Sequence, residues 1–195
     1  MTDFGLILAA GASRRMGTPK ALLVWRKESL LARAIRVVRA TGLVPVVVAG
    51  AEKQAIKAHC EGLDLQDLQI VENHRWEEGM GTSIAAGVQA LPKGWRQVLI
   101  LNVDQPLIEA EHLRRLSLAC VRSAGLVATE YTSGLLGTPA CFSSGYGEHL
   151  VQLKGDKGAR DLIRSKDAEV VGLHGSNLDL DTPEDWQSFL KEYGP

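Results

Sequence analysis

The sequence predicts an α/β domain in which a mostly parallel sheet is flanked by helices. Short apolar runs alternate along the chain with amphipathic helical patterns, which is typical of parallel strands joined by crossover helices. No internal repeat, low-complexity tract or Pro/Ser-rich linker divides the 195 residues, and a chain of this length suits one domain with a sizeable core. We therefore predict a single domain over residues 1–195.

Five short apolar runs are predicted as the strands of this sheet. Their length and continuous apolar character are typical of buried strands. The predicted strands are Phe4–Leu8, Val44–Ala49, Leu68–Val71, Gln97–Leu101 and Gly125–Thr129.

Five helices are predicted from apolar residues at helical spacing. The last has the clearest start, because Thr182 is a good N-cap, Pro183 suits the first turn, and Glu184 and Asp185 complement the helix dipole. Its apolar stripe is predicted to pack on the core and consists of Trp186, Phe189, Leu190 and Tyr193. The other helices are predicted around Leu31, Ala34, Ile35 and Val38, over Glu52–His59, from a cap at Thr82 or Ser83 through Leu91, and around Leu113, Leu116 and Cys120.

The segment 130–147 differs from the rest because it is rich in glycine and carries Pro139 among short extended runs. We predict a small β insertion here, a hairpin and loop over the carboxyl edge of the sheet. Ligands of open α/β sheets bind at that edge, so the insertion is expected to help form an acceptor pocket.

The composition is that of an ordinary globular protein. Hydrophobic residues make up 45% and charged residues 23%, which argues against disorder, and the net charge of −1 gives no electrostatic reason to expect nucleic acid or a membrane surface as a partner. Apolar stretches such as Leu43–Ala51 are too short to span a bilayer, and no signal peptide is visible. The three cysteines, Cys60, Cys120 and Cys141, indicate buried thiols rather than disulfides or a metal site, so we expect a cytoplasmic protein.

The residues after the first strand predict a phosphate-binding loop. The stretch Leu8–Lys20 combines small residues with arginines and a lysine. Glycines let the backbone approach an anion and expose N–H donors, and the cations neutralise phosphate charge. Five residues separate Gly11 from Gly17, which excludes GxGxxG, and Pro19 before Lys20 excludes GxxxxGK(S/T). The alternative is an ordinary strand-to-helix connection with solvated charges.

Two acidic sites predict a metal at the same edge. Asp104 lies just past a predicted strand that Pro106 ends, and a carboxylate there is costly to desolvate without a partner. Magnesium suits it, because this ion binds triphosphate oxygens and takes one or two protein carboxylates. Asp179 and Asp181 are two residues apart and share a side of an extended segment, so one could be a second ligand and the other could bind backbone amides. The alternative is that these residues only cap turns and helices.

The opening loop resembles the signature of a known superfamily. It fits Leu-x-x-Gly-x-Ser-x-Arg-Met-Gly-x-x-Lys, the loop of nucleotidyltransferases that activate sugars, alditol phosphates and the molybdenum cofactor. Within this MobA-like group the chain most resembles the molybdenum cofactor cytidylyltransferases. It has Leu8-Ala9-Ala10-Gly11 and Gly79-Met80-Gly81-Thr82-Ser83 where the guanylyl branch has Leu-Ala-Gly-Gly and Gly-Pro-Leu-Ala-Gly.

This resemblance implies a Rossmann-like nucleotidyltransferase domain and a role for each matching residue. Arg15, Lys20 and Asp104 are the expected catalytic residues, and Asp104 and Asp179 the expected metal ligands, with Asp181 favoured for loop structure. The acceptor is expected at Gly137, Pro139 and Arg160, although Thr138 stands where the branch often has histidine. The expected nucleotide-binding residues are Leu8, Ala9, Ala10, Gly11, Ser13, Gly17, Gly79, Thr82 and Ser83.

The implied reaction is transfer of CMP from CTP to the terminal phosphate of the molybdopterin cofactor, with magnesium (Mg2+) as the metal and pyrophosphate as the leaving group. The expected partners are this nucleotide, the molybdopterin-type acceptor, and a molybdoenzyme or its chaperone. Three alternatives remain open: a guanylyltransferase, a sugar-1-phosphate nucleotidyltransferase, and a non-catalytic carrier of the cofactor.

Overall fold

A seven-stranded sheet forms the centre of the molecule in the computed structural model, which describes residues 2–63, 65, 68–164, 168–173 and 179–195. Two further strands form a short separate ribbon. The strands are β1 (Asp3–Ala9), β2 (Val24–Trp25), β3 (Glu28–Ser29), β4 (Val44–Ala49), β5 (Gln69–Glu72), β6 (Gln97–Asn102), β7 (Leu126–Tyr131), β8 (Leu136–Ser143) and β9 (Glu169–Leu173).

The sheet is mostly parallel, as predicted. Its strand order is β5-β4-β1-β6-β8-β7-β9, and β2 pairs with β3 in the ribbon. Only β8 runs against its neighbours, antiparallel to both β6 and β7. Leu8 of β1 is in register with Val48 of β4 on one side and with Asn102 of β6 on the other. The carboxyl ends of β1, β4 and β6 therefore meet at one edge, where an open α/β sheet places its ligand.

Helices cover both faces of the sheet and make three layers. Side chains alternate along each strand, so Ile7 packs into one core and Leu6 and Leu8 into the other. The helices are α1 (Leu30–Arg39), α2 (Lys53–Glu61), α3 (Met80–Gln89), α4 (Ala110–Ser123), α5 (Gly147–Val151), α6 (Arg160–Ile163) and α7 (Pro183–Tyr193). The first core is closed by α1, α2, α4 and α7, and the second by α3, α5 and α6.

The last helix begins where the sequence predicts. The Thr182 hydroxyl accepts from the Asp185 amide, and the Asp185 carboxylate accepts from the Thr182 amide, which makes a capping box. Phe189 is fully buried, with its ring 4.9 Å from that of Trp25 and 5.6 Å from that of Trp186. The predicted packing of this apolar stripe on the core is confirmed.

Helix α3 begins earlier than the predicted cap at Thr82 or Ser83. It starts at Met80, directly after Gly79, whose φ of 103° gives the chain a turn that other residues rarely adopt. The Thr82 hydroxyl donates to the carbonyls of Gly79 and Arg75 instead of accepting from the first free amides. The glycine turn, not a hydroxyl cap, sets the start of this helix.

The predicted insertion at 130–147 is wrong. The hairpin exists, but its second strand, β8, lies inside the main sheet between β6 and β7. Ala140, Cys141 and Phe142 are fully buried there, because helices cover this strand on both faces. Its first residues, from Leu136, reach the carboxyl edge because the strand runs antiparallel.

Several elements carry too weak a pattern to be predicted. In β9 only Val171 is buried, and α5 and α6 have five and four residues. The three cysteines are buried free thiols, as predicted. Within the described ranges, no helix has the length and apolar character needed to cross a membrane.

Candidate active site

A cleft of about 580 Å³ opens at the carboxyl ends of β1 and β6. The loop after β1, the turn before α3 and the segment after β6 form most of its wall. Predicted residues that line it are Leu8, Ala9, Ala10, Gly11, Ser13, Arg15, Lys20, Gly79, Ser83 and Asp104. The cleft is also lined by residues that the sequence did not assign to nucleotide, acceptor or metal: Asn102, Asp181, Trp76, Met80, Glu52, Glu77 and Asp156.

The loop after β1 is held in shape by Ser13. The Ser13 carbonyl accepts from the amides of Met16 and Gly17, each at 3.0 Å, and its hydroxyl accepts from the Lys20 amide at 3.0 Å. Met16 is buried and anchors the loop, while Gly17 allows a turn with φ of 70° outside the cleft. The amides of residues 11–15 donate to no acceptor in the part of the chain that the structure describes. Together they form a set of free donors suited to an anion.

An ion-pair network crosses the floor of the cleft. The Lys20 ammonium lies 3.0 Å from an Asp104 oxygen and 2.5 Å from an Asp181 oxygen, and Arg15 lies 2.7 Å from the other Asp181 oxygen. The Lys20 side chain is 15% exposed and that of Asp104 18%, whereas that of Arg15 is 70% exposed. Burial opposes a charged Lys20, but the carboxylates of Asp104 and Asp181 outweigh it and raise its pKa. The hydrogen bond from Lys20, followed by the charges of Lys20 and Arg15, lowers the pKa of Asp181.

Two buried oxygens on the same floor have no donor among the described residues. They are Oδ1 of Asp104 and the amide oxygen of Asn102, the last residue of β6, and both residues line the cleft. An acceptor without a donor is costly to bury, so both oxygens favour a donor or a cation that enters with the ligand. No group of three or more His, Cys, Asp or Glu side chains in the described ranges is arranged to hold a metal. The unpaired oxygens of Asp104 and Asn102 fit a hard cation that takes its other oxygens from the ligand.

Asp179 lies beside this floor. The burial of its carboxyl group, followed by the charges of Asp104 and Asp181, raises the pKa of Asp179, although the residue as a whole reaches the surface. Like charges that raise a carboxyl pKa are relieved by a bound cation. We expected Asp181 to serve the loop, but its carboxylate faces Lys20 and Arg15. Asp185 binds the amides of Asp181 and Thr182 instead.

Gln105, which the sequence did not single out, joins this floor to β8. Its side-chain amide lies 3.2 Å from Asp179, 3.1 Å from the Tyr131 hydroxyl and 3.2 Å from the Thr138 carbonyl. The Tyr131 hydroxyl also donates to the Thr138 carbonyl. Burial, followed by the charge of Asp179, raises the pKa of Tyr131, so this hydroxyl stays protonated.

The structure distributes the predicted acceptor residues over two places. Gly137 and Pro139 flank Thr138 at the start of β8, next to Gln105. Arg160 is the exposed first residue of α6 and does not line the cleft. Asp179, Gly137 and Pro139 border the floor beyond Asp104 without lining the cleft itself.

The turn before α3 is held by Asn73, another residue that the sequence did not single out. Its buried amide donates to the hydroxyls of Thr82 at 2.9 Å and Ser83 at 3.0 Å. Thr82 is buried away from the cleft, so its position suits support of the turn rather than direct contact with a ligand. Ser83 and Gly79 line the cleft.

Comparison with protein families identifies the family of the chain. The model of the MobA-like NTP transferase domain matches residues 5–170, which include the cleft floor up to Asp104. The chain belongs to the MobA-like NTP transferase family.

Proteins that are similar in sequence to this chain carry different names. Nicotine blue oxidoreductase of Paenarthrobacter nicotinovorans is 34% identical over 171 residues, covering 83% of this chain and 81% of the relative. The purine catabolism protein PucB of Bacillus subtilis is 30% identical and covers 93% of both chains. A probable molybdenum cofactor guanylyltransferase of Opitutus terrae is 38% identical over 128 residues, covering 63% of this chain and 58% of the relative.

Solved structures agree with the fold. Rv0371c of Mycobacterium tuberculosis is 28% identical with a TM-score of 0.83, covering 98% of this chain and 99% of that one. A second structure of that protein, described as a complex with manganese, has a TM-score of 0.80 with 26% identity over the same shares. A nucleotidyl transferase of Methanothermobacter, at 18% identity and a TM-score of 0.76, shares the fold.

Proposed function

We propose that this protein is a magnesium-dependent nucleotidyltransferase that transfers CMP from CTP to the phosphate of a molybdopterin-type cofactor and releases pyrophosphate. One observation carries the proposal. Free amides of residues 11–15, the cations Arg15 and Lys20, and the carboxylate of Asp104 all meet at one cleft of a MobA-like transferase. That combination matches a triphosphate and a cation at the same time.

The cleft residues would have separate roles in the in-line transfer of the nucleotide. The amides of residues 11–15 and the exposed Arg15 would hold the β- and γ-phosphates, where charge builds on the leaving pyrophosphate. Lys20 would turn from the two carboxylates to the α-phosphate and the acceptor phosphate. The nucleophile is already an anion and needs positioning rather than a base, which suits a cleft lined by no histidine of the described ranges.

Asp104 and Asp179 are the residues that would hold the metal. Asp104 offers a buried oxygen without a donor, and burial, followed by the charge of Asp104, raises the pKa of Asp179. When bound, the cation would neutralise phosphate charge and act as a Lewis acid. The manganese complex of the M. tuberculosis relative supports a divalent ion in this fold.

Preference for cytosine is proposed from the walls at the far end of the cleft. Ala10 is buried there, and its main chain and methyl group lie so close to Gly50 that a β-carbon at Gly50 would be 2.5 and 2.9 Å from them. Trp76 closes the same wall. The methyl group of Ala10, absent from a glycine in this position, narrows the space and favours a pyrimidine.

Pyrophosphate release tests the function directly. The protein is incubated with CTP, GTP, ATP or UTP, with and without molybdopterin cofactor. We expect release with CTP and cofactor together, at least about tenfold faster than with GTP, which corresponds to about 1.4 kcal/mol. Equal release with GTP would contradict the cytidylyl assignment and leave nucleotidyl transfer intact, and faster release with GTP would indicate a guanylyltransferase. Release with a sugar-1-phosphate would change the acceptor, and cofactor binding without any release would indicate a carrier.

Oxidoreductase activity is a second candidate, because the oxidoreductase of P. nicotinovorans is 34% identical over most of this chain. Turnover of nicotine blue without pyrophosphate release from any nucleotide would favour it. A molybdoenzyme or its chaperone is the proposed receiver of the product, which co-purification of the loaded protein would test.

A further inference from the structure

The wall of the cleft formed by the turn before α3 also contains a segment from much later in the chain. Asp156 lines the cleft together with Gly79, Met80 and Trp76, although it lies in the loop between α5 and α6. Nothing in the site described above uses this residue.

Two glycines admit the Asp156 loop. The Gly81 amide donates to the Gly155 carbonyl at 2.8 Å, which ties the loop to the first turn of α3. A β-carbon at Gly81 would lie 2.7 Å from the backbone of Lys154, and one at Gly79 would lie 2.3 Å from the Gly155 carbonyl carbon. Any larger residue at either position would displace the loop, so these glycines serve the docking of residues 154–156 as well as the turn.

The docking places a carboxylate against the turn. An ideal β-carbon at Gly79 would be 2.6 Å from Oδ1 of Asp156. This carboxylate is exposed to the cleft, and within the described ranges it has neither a hydrogen bond nor an ion pair. Its neighbour Lys157 pairs with Asp161 instead, at 3.5 Å. Asp156 is therefore an acceptor with unused capacity.

The binding groups of the cleft are unevenly distributed. Lys20 and Arg15 are paired with the carboxylates of the floor, but the free amides of residues 11–15 all lie in the loop after β1. Asp156 lies by the turn before α3 and has no cationic partner among the described residues. The free amides attract a triphosphate and the Asp156 carboxylate repels it, so a nucleotide places its phosphates at the loop after β1 and its base near Asp156.

We infer that Asp156 is a specificity-determining residue that accepts a hydrogen bond from the exocyclic amino group of the base. This inference rests on the proposed nucleotide site and adds the group that reads the base. Cytosine and guanine both present an amino group, so a carboxylate here favours either over uracil, whose corresponding edge is a carbonyl. Facing that carbonyl, the carboxylate would pair acceptor with acceptor, and both groups would lose hydrogen bonds to water without gaining one.

The test compares nucleotide binding by calorimetry, using non-hydrolysable analogues of CTP, GTP and UTP. The wild type is expected to bind the CTP or GTP analogue at least about tenfold more tightly than the UTP analogue. The side-chain amide of Asp156→Asn can donate a hydrogen bond to the uracil carbonyl. The ratio of CTP to UTP affinity should therefore fall to about one, because the CTP analogue binds more weakly and the UTP analogue more tightly. Asp161→Asn is the control, because it also removes one negative charge, from a side chain on α6 that is 73% exposed. This variant should keep the wild-type ratio.

A second variant tests the docking itself. Gly81→Ala places a methyl group 2.7 Å from the Lys154 backbone and forces the loop away, so it should lose base discrimination and also lower Tm. An unchanged CTP-to-UTP ratio in Asp156→Asn would overturn the inference and leave the proposed function intact. A wild type that binds all three analogues equally would also overturn it. A wild type that binds no nucleotide would contradict the proposed function as well.

Discussion

Replacing Lys20 by methionine should weaken the fold as well as the reaction. Methionine keeps the aliphatic stem of the side chain and removes only the ammonium group, which lies 3.0 Å from Asp104 and 2.5 Å from Asp181. The two carboxylates would then share the floor without this cation. The Lys20 side chain is only 15% exposed, so its loss affects the packing of the floor as well as its charge.

The size of this effect follows from the partial burial of the network. Breaking a buried ion pair costs about 3–5 kcal/mol, whereas an exposed pair contributes about 0–1 kcal/mol. Asp104 is mostly buried and Asp181 keeps Arg15, so we expect Lys20→Met to cost about 1–2 kcal/mol. For a chain of this size that lowers Tm by about 2–8 °C.

The assay is thermal unfolding with and without magnesium. A cation at Asp104 replaces the missing ammonium, so added magnesium should stabilise Lys20→Met more than it stabilises the wild type. Arg15→Met is the matched control, because its side chain is 70% exposed and its loss should change Tm by less than about 2 °C. Two results would refute this reasoning: a Lys20→Met protein with the wild-type Tm, or one that magnesium stabilises no more than the wild type. Either would show that the cation does not take the place of the Lys20 ammonium at Asp104.

Three further predictions follow from single side chains. Arg15→Ala should lower turnover about a hundredfold or more, because Arg15 neutralises phosphate charge, whereas Arg14→Ala should lower turnover only a few fold. Comparable losses in the two variants would show that the wrong arginine of the loop has been assigned to the phosphates. Asp179→Asn should weaken manganese binding in titrations more than Asp181→Asn does, since Asp181 is already neutralised by two cations, and the reverse order would exchange their roles. Burial, followed by the charge of Arg115, lowers the pKa of His112 to about 4 from 6.5, so its neutral form stabilises the fold fully above pH 6.5. Up to about 3 kcal/mol is lost as the pH falls from 6.5 towards 4, and His112→Gln should flatten this part of the Tm profile, which an unchanged slope would contradict.

The edge of the sheet that carries the site could be predicted from local sequence. β1, β4 and β6 are short apolar runs, and the residues that follow β1 and β6 must lie at the edge where these parallel strands end. The helix cap at Thr182 is equally local, because its partner Asp185 is three residues away. These features need no knowledge of distant contacts.

The parts that were missed depend on contacts between distant residues. β8 contains Gly137 and Pro139, which usually end strands, and only its neighbours β6 and β7 show that it is central. Gln105 gains its position from Thr138, and Asp156 from Gly79. These contacts join residues far apart in the chain, so only the folded structure brings Gln105 and Asp156 to the site.

Pyrophosphate release by Asp104→Asn, compared with the wild type at saturating magnesium, tests the central claim most directly. Asparagine keeps the shape of the side chain and can still accept a hydrogen bond, so the variant should fold and should still bind nucleotide. A Tm close to that of the wild type would show that it folds. Loss of a carboxylate that positions the cation should remove several kcal/mol of charge stabilisation in the transition state, and turnover should fall by about a thousandfold or more. Near-normal release by Asp104→Asn would contradict metal-assisted nucleotidyl transfer at this cleft.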